Sequence, residues 1–146
     1  MVKKFFCLII LFSILLLASC SNESSKEDNL VDKASYFESG DFTMLGKENK
    51  AGFIISKNAD LVANRTNKYM WHLWGDQDFH DKEFKVTGVN IDTGDEETLV
   101  TSLVTGPVNG ADFSIPSNMT FPSKGTWELS VFVDGKLFNK MTVEVS

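Results

Sequence analysis

From Asp41 to Ser146 the chain is interrupted at short intervals by Gly, Asn, Asp or Pro, and the runs between are rich in Val, Ile, Phe, Trp and Thr. That rhythm, a turn signal roughly every 8–12 residues, constrains the fold more than any other feature. The runs are too short for packed helices, and none sustains an apolar period of 3.6. Strands are expected at 42–45, 52–56, 68–74, 83–91, 98–105, 111–115, 126–133 and 136–145. Seven to eight strands in about a hundred residues predict an all-β, immunoglobulin-like β-sandwich.

The last hairpin is the best specified. Trp127, Leu129, Val131 and Val133 alternate with polar residues and Phe132, and Leu137, Asn139, Met141, Val143 and Val145 alternate on the returning strand. A two-residue Asp134-Gly135 turn in an unbroken ladder sets Lys140 opposite Leu129 on the core face. A three-residue 133–135 loop instead pairs Trp127 with Met141 and Val131 with Leu137, and keeps the lysine in water. The second register is expected. It leaves Phe132 and Phe138 on the face away from the core, as a possible partner patch. A similar turn is expected at 92–95. Pro107, Pro116 and Pro122 mark an irregular crossover, with 112–115 a short edge strand at most.

The N-terminal region reads differently. Lys3 and Lys4 precede a 14-residue run, 5–18, broken only by Ser13. As a helix it is about 21 Å long, short of the roughly 30 Å hydrocarbon core, so it reads as a signal-peptide segment. Leu17-Ala18-Ser19-Cys20 matches the bacterial lipobox. The Cys20 thiol takes the diacylglycerol, and small residues before it admit the backbone to the peptidase. Residues 1–19 are thus expected to be a signal peptide, Cys20 the lipidated residue (palmitate-type acylation), and 20–40 a polar, flexible linker ahead of a domain at 41–146. The expected address is the extracytoplasmic face of the cell membrane. Without Lys3 and Lys4 the chain carries 12 basic and 20 acidic residues, a net of −8, which argues against nucleic acid as a partner. Cys7 falls in the discarded segment, so neither a disulfide scaffold nor a thiolate metal module fits.

Several stretches carry a resemblance: Asn67-Lys68-Tyr69-Met70-Trp71-His72-Leu73-Trp74-Gly75, then Gly106-Pro107-Val108-Asn109-Gly110-Ala111-Asp112, Ile115-Pro116-Ser117 and Gly135-Lys136-Leu137-Phe138. In these the chain resembles uncharacterised Gram-positive bacterial lipoproteins with an immunoglobulin-like domain of unknown function. The resemblance implies a fold and an address; it brings no activity or site residue with it.

Chemistry-bearing groups are sparse. On a strand, Tyr69, Trp71 and Leu73 share one face and Met70, His72 and Trp74 the other. The bland account puts Trp71 in the core and Trp74 under a loop. The functional account makes His72 and Trp74 an aromatic platform, with Asn109 and Asp112 nearby, for a sugar ring or peptide. His72, Asp76 and His80 stand at i, i+4 and i+8, but Gly75 breaks any helix that would align them. Asp76, Asp78 and His80 mimic a calcium loop that fails at Asp81 and Thr87. No metal and no cofactor are expected. No serine sits in a nucleophile-elbow pattern, and the acids at 92–97 crowd a turn that points into water. The expected role is therefore a non-enzymatic binding or interaction domain, engaging an envelope protein, or alternatively a cell-wall or carbohydrate polymer, through His72, Trp74, Asn109, Asp112, Phe132 and Phe138.

Overall fold

The computed structural model describes residues 31–146. The signal segment and Cys20 lie outside the described residues, as does the linker up to residue 30. Nine strands form, with no helix among the described residues: β1 Ser35–Ser39, β2 Phe42–Lys47, β3 Ala51–Ile54, β4 Asn67–Leu73, β5 Glu83–Asn90, β6 Glu96–Leu103, β7 Phe113–Met119, β8 Gly125–Val133 and β9 Lys136–Val145. They make two antiparallel sheets, ordered β1-β2-β3-β4-β7 and β6-β5-β8-β9. The chain crosses between sheets after β4, after β6 and after β7. The fold is a β-sandwich.

Alternation decides what each strand buries. Leu45, Phe53, Trp71 and Ile115 line the inner face of the five-stranded sheet, and Phe84, Val86, Trp127, Leu129 and Val131 that of the four-stranded sheet; all are buried in one core. Phe53, Trp71 and Phe84 bridge the layers, with ring centroids 4.8 and 5.4 Å apart. Gly88 lets Trp127 approach, since a Cβ there would sit 2.9 Å from the indole.

Three expectations are corrected. The linker ends earlier than residue 40: Ser35–Ser39 pairs with β2 as a ninth strand, and Lys33 bridges Thr142 in parallel beside β9. The stretch was read as linker because its strand buries little and shows no apolar alternation. The 111–115 edge strand extends to Met119, through Pro116, because β4 is the one strand among the described residues that pairs with β7, beyond a single bridge from Ser114 to Thr105, and the missing N–H faces away from the β4 ladder.

The third correction is the hairpin register. The turn has two residues, Asp134 and Gly135, both with positive φ as a type I′ turn requires. Lys140 nevertheless stays in water, because a bulge intervenes. Phe132 pairs with Leu137 but Val131 pairs with Asn139, leaving Phe138 unmatched. Trp127 then faces Val143, and Lys140 lies opposite Ser130, where its Nζ donates to Glu128 Oε1 at 2.7 Å.

Candidate functional site

The bulge turns Phe138 away from the outer face expected for it. Its ring packs edge-on against Phe79, 5.4 Å between centroids, and reaches Gly75, where a Cβ would stand 3.9 Å away. Phe79 in turn meets Phe113 at 5.3 Å, so Phe138 caps one end of the core. Lys50 Nζ lies 4.2 Å from the Phe138 ring centroid, a cation–π geometry. Phe132 behaves as expected: half-buried on the outer face, with Lys85 Nζ 5.6 Å from its centroid. β4 belongs to the other sheet and gives it no cover.

Around Phe138 the 75–82 loop, the β8–β9 turn and Lys50 enclose a cleft of about 510 Å³. Its floor is Gly75, Phe79 and Phe138, and Leu137, 54% exposed, stands on its rim. Lys50, Lys82 and Lys136 line it together with Asp76, Asp78 and Asp134. None of these six charges is in an ion pair among the described residues. Concave, apolar-floored sites of this size with a few convergent polar groups suit ligand binding. The chain enters the fold at this end too, since Asp32 pairs with Lys47, one turn from Lys50. A larger groove, about 670 Å³, runs between β6 and β7 over Tyr69, Met70 and Leu99. Its rims carry Pro116 and the Leu99 bulge, features that discourage added strands.

His72, Trp74, Asn109 and Asp112 do come together, beside the cleft and not as an open platform. His72 lies on the outer face of the five-stranded sheet, between its ladder partners Gly52 and Ser114, and is 0% exposed. The Phe37 ring covers Gly52 and meets Trp74 at 5.9 Å, and Trp74 stands edge-on to His72 at 5.9 Å. Trp74 Nε1 donates to the Gly110 carbonyl at 3.2 Å, and Ser114 Oγ donates to the Gly106 carbonyl at 2.9 Å. Ser39 Oγ, on the edge strand of the same sheet, donates to the Asn109 carbonyl at 3.5 Å, so the 104–112 loop reaches across this face as a roof. Asp112 Oδ2 accepts from the Gly75 N–H at 2.9 Å, tying the roof to the cleft floor. Burial holds the His72 pKa below its usual 6.5. Met44, fully buried yet outside the main core, completes this second packed layer.

His80 is exposed, with Nδ1 3.0 Å from Asp81, and stands in the loop rather than on a helix with His72. Among the described residues no three of His, Cys, Asp or Glu converge to hold a metal ion. Sequence reasoning missed Lys50, Phe79 and Phe37. Phe37 lay in the presumed linker; Lys50 and Phe79 stand in turns that gave no sign of where they point.

Comparison with known proteins gives a family and a fold. No curated protein matches the chain. A crystal structure described as that of a "Putative Lipoprotein from Bacillus anthracis" is similar over 90% of this chain and 99% of that one, with a TM-score of 0.62 and 17% identity, a likeness in fold. Residues 22–143 match the family described as a domain of unknown function, DUF4871. The chain belongs to that family.

Proposed function

We propose that this is a lipid-anchored, extracytoplasmic module without enzymatic activity, which binds an envelope protein through the cleft end of its sandwich. The single observation that carries the reading is the cleft itself: an apolar floor of Phe79 and Phe138, a rim of unpaired charges of both signs, and exposed Leu137. Charged groups set around an apolar centre fit the pattern of a protein-recognition patch. The lipobox at Cys20 and the lipoprotein name of the fold relative support the address. The strand order supports an immunoglobulin-like reading, because β6-β5-β8-β9 packs on a sheet in which β4 pairs with β7 across the crossover. A protein partner is favoured over a sugar polymer because, of the expected stacking platform, His72 is buried and Trp74 is half-buried and tied to the roof by its Nε1.

Replacing Cys20 with alanine should move the protein out of the membrane fraction and abolish fatty-acid labelling; unchanged membrane retention contradicts the anchor. Incubation with insoluble cell-wall polymer tests the partner class. Co-sedimentation that survives Leu137→Asp and Phe138→Ser would contradict the cleft as the binding surface.

A further inference from the structure

His72 breaks the ordinary rule of polar burial. Its ring is fully enclosed, and neither Nδ1 nor Nε2 has a hydrogen-bond partner. Buried polar atoms are nearly always paired, and a protonated imidazole would bring two donors and a charge. Nothing around it answers that charge. Its flanking strands β3 and β7 contain no ionisable residue at all. Lys68 is the one charged residue of β4 itself. In the β1–β2 hairpin, Glu38 accepts from Thr43 Oγ1, Asp41 is exposed at the turn, and Lys47 pairs with Asp32. In the roof, Asp112 is engaged by Gly75; in the β2–β3 turn, Lys50 lies over Phe138 and Glu48 is exposed. His72 takes part in none of the ion pairs among the described residues.

The β1–β2 hairpin is laddered onto β3, and residues 104 and 105 are bonded to Lys82 and Ser114. The tip of the roof, 106–112, has no ladder to a neighbouring strand among the described residues and rests on the Trp74–Gly110, Gly75–Asp112, Ser114–Gly106 and Ser39–Asn109 hydrogen bonds. His72 points to this side, while the main core lies on the other face of β4 with Trp71 and Leu73. An unanswered charge is therefore relieved by lifting the roof rather than by melting the core.

We propose that His72 is a proton-operated latch: neutral, it lets the 106–112 loop close over the outer face, and protonated, it releases the loop. Release withdraws Asp112 from Gly75 and alters the floor of the cleft, so acid regulates the binding end. That consequence rests on the function proposed above; the latch itself does not, and is tested without any ligand.

The test is amide hydrogen exchange on the full chain from about pH 7.5 to about pH 4.5, spanning the ordinary histidine range and corrected for intrinsic rates. The Trp74 indole N–H, the Gly75 amide and the amides of 106–112 should lose protection severalfold in acid while β5 and β8 keep theirs. His72→Leu should hold the roof closed throughout, and His80→Gln, which removes the other of the chain's two histidines, should behave as the parent does. An NMR titration of the parent follows the His72 ring directly, so the test stands even where the leucine variant folds poorly; its midpoint should coincide with that of roof opening. Unchanged protection, a loss spread evenly over β5 and β8, the same response in a folded leucine variant, or mismatched midpoints would each overturn the latch. If the latch is confirmed but Leu137→Asp leaves partner binding intact, the proposed function fails and the latch survives.

Discussion

The two ends of the sandwich are finished in different ways. At the Asn90 end a buried hydrogen-bond network closes the fold. Asn90 is fully buried, yet its Nδ2 donates to Ser123 Oγ and to the Lys124 carbonyl, both at 2.9 Å, and its Oδ1 accepts from the Asp92 and Thr93 N–H groups. Asp92 Oδ2 accepts from the Thr126 N–H, and Trp127 Nε1 donates to the Ser123 carbonyl. At the Phe138 end an apolar-floored cleft opens among lysines and aspartates, and beside it lies a buried imidazole with neither nitrogen bonded. A protein that only needed to fold has no reason to complete one end and leave the other. The difference is why we read the first as the end that stabilises and the second as the end of the proposed recognition.

Substitutions can break that division, and they rank by the packing each removes. Trp127→Ala empties a fully buried indole and should cost about 3–5 kcal/mol in denaturant unfolding. Asn90→Ala follows at about 2–3 kcal/mol, because it strands buried partners that water cannot reach. Phe138→Ser removes a half-buried ring and should cost only about 1–2 kcal/mol while weakening partner binding. A loss for Phe138→Ser equal to that for Trp127→Ala would show the two ends to be alike. The smallest effect near neutral pH belongs to His72→Leu, where an unbonded buried imidazole gives way to an apolar group of similar size.

That last variant sharpens the contrast through pH. His72 titrates lower in the fold than its usual 6.5, through burial, so the unfolded chain takes up its proton first as pH falls. Its contribution is intact above about pH 6.5 and is lost progressively below, down to the folded-state pKa. The parent should therefore lose stability over that acid range, and His72→Leu should lose less in parallel denaturant titrations.

The same division explains what the sequence disclosed. Strands β2 to β9 all fall on runs that turn residues delimit, and the Trp127 alternation marks its own buried face. β1 went unseen because Tyr36 is exposed, and Phe37 finds its burial against Gly52 and Trp74, well away in sequence. The hairpin was half legible. Keeping Lys140 in water was the right constraint, but a bulge at Phe138 satisfies it as well as a longer turn does, and composition does not choose between them. The burial of His72 was illegible for the same reason as β1: its cover comes from the 37 and 104–112 regions, which only the tertiary fold brings together. The core strands announce themselves locally; the cleft end is assembled from distant pieces.

Two exposed apolar residues give the most direct measurement. Leu137 at the cleft end is 54% exposed and Ile91 at the closed end is 56% exposed, so accessibility does not distinguish them. A photo-crosslinking amino acid at each position, in the full-length protein in living cells, reports which end meets a partner. The account predicts a discrete adduct from position 137, lost with Phe138→Ser, and none from position 91. Adducts of equal yield from both positions, or from position 91 alone, would contradict it.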